Sequence, residues 1–283
     1  MQPKISVVTP SFNQVKYVSS TIESVLNQDY DNVEYIVVDG GSDDGSVRVI
    51  KEYERQLAHW ISEPDDGQSD AINKGFVRAS GDILCWINSD DVFVQGALGA
   101  VAESLGDKVA PSWLIGSTQI VDSENRAIRV KVPRTVNQQT FIRWGTSSFP
   151  QQSTFWTRSM WDRAGPLRKD LHYTMDLALW LKMYDISAPL QVPKVLSSYR
   201  VHDQAKCFQH PAKVRGEILQ VLMEHILAER QTSEAWVESC LRTSVELDNE
   251  IMELKHSSNR INKHIVIGRV LNLWRRYINQ DLQ

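Results

Sequence analysis

Three short apolar runs set the architecture of this chain: Ile5-Ser6-Val7-Val8-Thr9, Val33-Glu34-Tyr35-Ile36-Val37-Val38 and Ile83-Leu84-Cys85-Trp86-Ile87. Runs of this length read as buried strands. Between the first two, Val15, Val18, Ile22, Val25 and Leu26 recur at helical spacing. A second helix is expected from about Asp43 to Leu57. A third runs over Gln68 to Ala79, with Ala71, Ile72, Gly75, Phe76 and Ala79 on one face. Strand and helix therefore alternate through the first hundred residues. That order implies a mainly parallel sheet with helices on both faces.

The middle third is mixed. Leu114-Ile115-Gly116, Ile128 to Val132 and Ser153-Thr154-Phe155-Trp156 read as strands. Leu177, Trp180, Leu181 and Tyr184 mark an amphipathic helix beginning near Thr174, and Val195 to Val201 a final extended segment. After about Cys207 the composition changes, and residues 212–230, 233–256 and 260–280 all read as helix. The expected division is a catalytic domain over 1–207, with halves 1–110 and 111–207, and a helical appendage over 208–283. In the last helix Ile267, Val270, Leu271, Trp274, Tyr277 and Ile278 share a face, with Arg269 and Arg276 opposite. Such a helix suits core packing, dimerisation or a membrane interface.

Bulk properties narrow the setting. The net charge of -4 gives no global attraction for nucleic acid. Cys85, Cys207 and Cys240 are far apart and form no CxxC pair, which argues against a zinc site or a disulfide framework and fits a reducing cytoplasm. Met1-Gln2-Pro3-Lys4 leads straight into the first strand, without a signal peptide's apolar region. With no run of membrane-spanning length, the expected location is cytoplasmic, or peripheral on the cytoplasmic face of the membrane.

Four segments follow apolar strands or open helices and carry chemistry. In Thr9-Pro10-Ser11-Phe12-Asn13, Pro10 lacks an amide donor and ends the strand, leaving two hydroxyls for a ligand or for helix capping. In Asp39-Gly40-Gly41-Ser42-Asp43-Asp44-Gly45-Ser46 the glycines permit close approach to the backbone. Asp39 can accept from a base or ribose there, and Asp43 or Asp44 suits a helix N-terminus. In Asp65-Asp66-Gly67-Gln68-Ser69-Asp70-Ala71-Ile72-Asn73-Lys74-Gly75 a turn leads into a helix whose start faces an anion, with Asp70 and Asn73 near it. Asn88-Ser89-Asp90-Asp91 sets adjacent acids at a strand's carboxyl end, where ligands bind in α/β proteins. A divalent cation suits such a pair, and a solvated turn or helix cap is the plainer reading.

Together these segments resemble the family 2 glycosyltransferases, inverting enzymes of the glycosyltransferase-A fold, from about Lys4 to His202. The similarity continues through Gln151-Gln152-Ser153-Thr154-Phe155-Trp156, Gly165-Pro166-Leu167, Tyr173-Thr174-Met175-Asp176 and Tyr199-Arg200-Val201-His202. It implies an α/β fold: a Rossmann-like, mixed, mainly parallel sheet flanked by helices. It implies that Asp39 recognises the nucleobase, that Thr9 and Ser11 line its pocket, and that Asp44 supports the base or ribose. Asp70 and Asn88 also face the nucleotide. Asp90, with Asp91 beside it and His202 reaching across, would hold Mn²⁺ or Mg²⁺ on the diphosphate. Asn88 stands where relatives often carry the first acid of an Asp-x-Asp, and its amide can serve ribose or a metal-bound water.

The same resemblance makes Asp176 the catalytic base, since inversion requires a positioned base. A helix N-terminal acid is the plainer reading of that residue. The implied donor is a nucleotide-diphospho sugar, UDP-linked first, with GDP and dTDP also in use. The implied acceptor is a glycan or lipid-linked glycan in cell-surface polysaccharide synthesis. Two other readings compete. A sugar-1-phosphate nucleotidyltransferase would need a Gly-rich, Arg- and Lys-bearing loop after the first strand, where Thr9-Pro10-Ser11-Phe12-Asn13-Gln14 stands. A non-catalytic nucleotide-binding or scaffold protein would be consistent with Asn88.

Overall fold

The computed structural model of the chain describes residues 2–106, 108, 110–133, 149–202, 204–206 and 210–230. The chain divides into two compact units, Met1–Ile218 and Leu219–Gln283, and the architecture below is that of the first, together with the described remainder of the helix that begins in it and ends in the second. The helices expected over 233–256 and 260–280 lie outside the described residues.

The first half runs β1 (Ile5–Ser11), α1 (Val18–Leu26), β2 (Val33–Asp39), α2 (Ser46–Glu52), β3 (His59–Ser62), α3 (Gln68–Arg78) and β4 (Ile83–Trp86). After it come β5 (Val92–Phe93), α4 (Ala97–Leu105), β6 (Trp113–Val121), β7 (Ala127–Lys131), β8 (Thr154–Thr157), α5 (Arg158–Ala164), α6 (Met175–Ile186), β9 (Leu190–Arg200) and α7 (Pro211–Arg230). Among the described residues these strands form one sheet in the order β3-β2-β1-β4-β8-β6-β9-β5, with β7 on β6. The β3-β2-β1-β4 half is parallel throughout, as strand–helix alternation requires. Beyond β4 the sheet is mixed: β8 pairs antiparallel with β4 and β6, while β6 and β9 are parallel.

The β1 pattern explains its central place. All seven of its residues are buried, as suits a strand flanked by parallel neighbours and covered by helices. Helix α3 buries Ala71, Ile72, Gly75 and Phe76. Gly75 lets it close on the sheet, because a Cβ there would collide with the Val8 side chain. Trp86 and Trp156 meet edge to face at 5.4 Å across the β4–β8 pair, and Phe76 reaches Trp156 at 5.8 Å. Such aromatic pairs add about 1 kcal/mol each beyond area burial. This cluster joins the parallel half to the mixed half at the place where the sheet changes direction.

Pro193 sits inside β9, where a proline removes a ladder donor. The β6–β9 register jumps from Gly116↔Val192 to Ser117↔Val195, so an irregularity absorbs Pro193 and Lys194. The strand therefore begins at Leu190, ahead of the expected Val195. Helix α2 is shorter than the expected 43–57, because the chain tightens into a 3₁₀ turn at Glu54–Gln56.

Candidate active site

The parallel half gathers three strand ends on one edge. Ser11 pairs with Asp39 at the ends of β1 and β2, and Val8 pairs with Trp86 at the end of β4. A cleft of about 880 Å³ opens over this edge. Ser11, Gly40, Asp65, Gln68, Asn88 and Asp90 line it from the parallel half. Arg129, Lys131, Gln151, His172, Tyr173 and Asp176 line it from the mixed half. Ligands of open α/β sheets bind at such a carboxyl edge.

The expected nucleotide residues divide into those that reach the cleft and those that shape it. Ser11 lines the cleft, and its buried hydroxyl has no hydrogen-bond partner in the protein. An unpaired buried hydroxyl costs about 1–3 kcal/mol unless a ligand satisfies it. Asn88 lines the cleft and accepts from Gln68 Nε2 at 2.8 Å, which orients its amide. Thr9 is buried behind them, with its hydroxyl 3.0 Å from Tyr35 Oη.

Asp39 is fully buried and holds the turn that follows β2. Its Oδ2 accepts from the Gly41 amide at 3.1 Å, the Ser42 amide at 2.9 Å and Ser62 Oγ at 2.7 Å. Its Oδ1 accepts from Ser42 Oγ. A carboxylate offers about four acceptor sites, so most of Asp39's capacity is used in presenting Gly40 to the cleft. A Cβ on Gly40 would lie 2.7 Å from Asp65 Oδ2, so a larger residue there must push the Asp65 carboxylate aside. Burial raises the Asp65 carboxyl above its usual range, against the Gly67 N–H that favours the charge.

Asp44 and Asp70 do not line the cleft. Asp44 accepts from the Val15 amide at 2.9 Å and from the Ser46 amide and hydroxyl, tying the post-β1 loop to the start of α2. Those bonds, led by Ser46, outweigh desolvation and hold its carboxyl below the usual range. Asp70 pairs with Lys169 Nζ at 2.5 Å and Lys74 Nζ at 3.2 Å. Lys169 first, then the Asp66 amide and Lys74, bring it down to about 2. Asp70 thereby ties α3 to the loop ahead of α6.

The 88–91 turn is clamped from the far half of the sheet. Arg200 donates from Nη1 to the Asp90 carbonyl at 2.7 Å, and its backbone amide donates to Asp91 Oδ1 at 2.9 Å. Its guanidinium also covers the Tyr17 ring at 4.7 Å. Asp91 is 1% exposed and turns away from the cleft. Burial, then the Asp90 charge, drives its carboxyl well above the usual range. Asp90 faces the cleft, and His202 Nε2 stands 3.0 Å from its Oδ2. His202 packs on Tyr17 at 4.8 Å, and its Nδ1 has no protein partner. Asp90 and His202 are thus brought together, across 112 residues of sequence.

Asp176 occupies the first turn of α6 on the opposite wall. Its Oδ1 accepts from the Leu177 amide at 2.7 Å. Burial pushes the carboxyl up to about 6, against the pull of backbone donors and Lys131. Lys131, half-buried on β7, is itself held below its usual range by burial and then by Arg129. Lys131, Arg129, Asp65 and His172 carry no cleft signal in local sequence beyond the basic alternation of Arg129 and Lys131 in a short strand, and reach the cleft only through tertiary folding.

The fold and cleft have known counterparts. The family model described as glycosyl transferase family 2 matches residues 6–163. An uncharacterised glycosyltransferase of Mycobacterium tuberculosis is 33% identical over 201 residues, covering 70% of this chain and 75% of the relative. A Bacillus subtilis protein named for teichuronic acid biosynthesis is 37% identical over 100 residues, covering 34% of this chain and 40% of that protein. Among solved structures, Staphylococcus aureus TarS 1-349 superposes with a TM-score of 0.62 at 17% identity, covering 92% of this chain and 76% of that one. The chain spans 43% of the longer TarS structure. A Pyrobaculum calidifontis mannosyltransferase, solved with GDP-Man and Mn²⁺, gives 0.59 at 18% identity, covering 99% and 83%. These structures establish the glycosyltransferase-A fold, and the matched family model with the mycobacterial relative establishes that this chain belongs to glycosyl transferase family 2.

Proposed function

We propose that the chain transfers a sugar from a nucleotide-diphospho sugar to a hydroxyl of a glycan or lipid-linked glycan, with inversion at the anomeric carbon. The observation that carries this reading is the pairing of Asp90 with His202 at 3.0 Å on a cleft whose other wall bears Asp176. A UDP-sugar is the favoured donor: TarS has been solved with UDP-GlcNAc, and a mycobacterial glucosyl-3-phosphoglycerate synthase with Mn²⁺ and UDP. The teichuronic acid relative favours a cell-surface polysaccharide acceptor.

The residues present fit a divalent cation. Asp90 offers a carboxylate oxygen and His202 an imidazole nitrogen from adjacent positions. Mg²⁺ and Mn²⁺ take one or two such groups together with substrate phosphates and water. Bound there, the cation would offset the negative charge that builds on the departing nucleoside diphosphate. The protein supplies the rest. The unpaired Ser11 hydroxyl and the open Gly40 wall receive the nucleoside. Asn88, oriented by Gln68, offers its amide beside Asp90.

Asp176 accepts the proton of the acceptor hydroxyl as that oxygen attacks the anomeric carbon from the face opposite the leaving group. A carboxyl pushed up to about 6 remains ionised at neutral pH and is a stronger base than an exposed one. Displacement in one step inverts configuration, and no protein nucleophile is required. Cys85, a free cysteine of the described residues, is buried in the core, and burial holds its thiol protonated.

The test is the anomeric configuration of the transferred sugar, read by proton NMR within the first turnovers. An α-linked donor giving a β-linked product is expected. An α-linked product would refute the single displacement. The non-catalytic alternative predicts nucleotide binding with no transfer to any hydroxyl acceptor.

A further inference from the structure

Helix α6 begins without the usual cap. Thr174 stands at its N-cap position, yet its side chain makes no capping bond to the helix. The first amides of a helix must find acceptors elsewhere. Here the three amides just ahead of the helix, those of His172, Tyr173 and Thr174, converge on one side chain from a distant part of the chain. Glu217, early in α7 and within the first compact unit, accepts at Oε1 from the His172 amide at 2.9 Å. Its Oε2 accepts from the Tyr173 amide at 2.7 Å, the Thr174 amide at 3.1 Å and Thr174 Oγ1 at 3.2 Å. The His172 amide also lies 3.1 Å from Oε2.

Three consecutive backbone N–H groups aimed at one carboxylate form an anion-holding turn, with the positive end of a helix behind it. Here the occupant is part of the protein, and the turn it holds carries His172 and Tyr173 into the cleft. Two residues past Thr174 comes Asp176.

We propose that Glu217 is the positioning residue of the catalytic centre: it fixes the 172–174 turn, and through it sets where the Asp176 carboxylate stands. The inference depends on Asp176 being the base. The charge of Glu217 adds a second effect. Burial is the main cause of the raised Asp176 carboxyl; Lys131, from β7, draws it down, and Glu217 adds a small upward push. Glu217 therefore holds the base in place and adds to a basicity that burial creates. It also makes the first turns of α7 part of the catalytic unit, beyond the boundary at residue 207 expected from composition.

Separate variants divide the two effects. Glu217→Gln removes the charge and one acceptor, and keeps a single acceptor oxygen for the Oε2 position, where the Tyr173 and Thr174 amides and the longer His172 contact converge. Glu217→Ala removes the charge and both acceptors. Each is assayed for kcat and kcat/KM across pH, for nucleotide Kd and for thermal unfolding. The Gln variant is expected to shift the acidic limb of kcat/KM to lower pH, with its melting transition retained. The Ala variant is expected to lose about tenfold in kcat or more, the order of loss that a misplaced catalytic group produces, with nucleotide Kd within twofold of the parent.

A Gln variant whose acidic limb is unmoved, with an Ala variant of unchanged kcat, would overturn the proposal. So would losses in kcat that track the melting transition alone. Asp176→Asn, run alongside, separates this from the reading beneath it. An inactive Asp176→Asn with unaltered Glu217 variants removes only the Glu217 role. A fully active Asp176→Asn removes both.

Discussion

Replacing Asp176 by Asn should do opposite things to activity and to stability. The amide keeps an acceptor for the Leu177 N–H and nearly the same shape. It cannot take a proton from the acceptor hydroxyl. Loss of a positioned base costs on the order of 10²–10⁴ in rate, so kcat should fall by at least about a hundredfold while nucleotide affinity holds. In the parent, kcat/KM should fall tenfold per pH unit below about 6, where the carboxyl protonates.

Stability moves the other way, and its sign follows from linkage. The folded carboxyl titrates near 6 rather than 3.8, so the folded protein binds this proton more tightly than the unfolded chain. Stability from this group is therefore complete below pH 3.8 and is lost as pH rises through 6. Two units at 1.36 kcal/mol each set an upper bound of about 3 kcal/mol, and the part-open position of the side chain reduces it to about 1–2 kcal/mol. The Asn variant escapes that loss. Its melting temperature should exceed the parent's by several degrees at pH 7.5, and the gap should close at pH 4. The assays are differential scanning calorimetry at both pH values and a transfer assay with saturating donor. Unchanged transfer would refute the role of Asp176. A variant destabilised equally at both pH values would refute the account of its burial.

Further perturbations address the cleft and the turns around it. Asp90→Ala should weaken nucleotide binding by about tenfold or more and make it insensitive to EDTA, with His202→Ala acting in the same direction, since the two side chains stand 3.0 Å apart; calorimetry with and without Mn²⁺ checks both. Gly40→Ala sets a methyl against the Asp65 carboxylate and into the cleft wall, so nucleotide affinity should drop about tenfold with the melting temperature unchanged; an unaltered Kd would show that the donor does not approach Gly40. Asp70→Asn should cost about 1 kcal/mol or less at pH 7, because Lys169 is half exposed, and the cost should shrink in high salt. Asp70 titrates near 2, so its stabilisation is present above pH 3.8 and lost as pH falls through 2; acid melts of parent and variant should converge there.

The parallel half of the sheet was readable because its strands are continuous apolar runs. The expected Ile5–Thr9, Val33–Val38 and Ile83–Ile87 became β1, β2 and β4, and their order explains the shared edge. Elements with weak apolar signals were passed over. In β3, His59 and Ser62 are exposed and its inner residues only half-buried, so it carries no buried face to detect. Two residues make up β5, which exists only by pairing with β9. Helix α4 buries Ala97, Ala100 and Ala102 among its contacts, and small residues give little periodic contrast.

The site shows the same division. Ser11, Asn88, Asp90 and Asp176 lie on strand ends or at a helix start, where local pattern points, and all line the cleft. Asp44, Asp70 and Asp91 fall in the same motifs but serve the turns around it. No local pattern separates an acid that faces a ligand from one that holds the loop beside it. Glu217 lies 43 residues from Thr174, in a segment whose composition marks only a helix, so its contact became visible only in three dimensions.

On the proposed reading, Asp90 with His202 and Asn88 forms a metal-dependent nucleotide site. Isothermal titration of UDP, GDP and dTDP, each with Mn²⁺ and then with EDTA, decides the matter. One nucleotide, UDP first, should bind with Mn²⁺ and lose at least tenfold in affinity with EDTA. Folded protein that binds none of the three, or binds equally well in EDTA, would contradict the account.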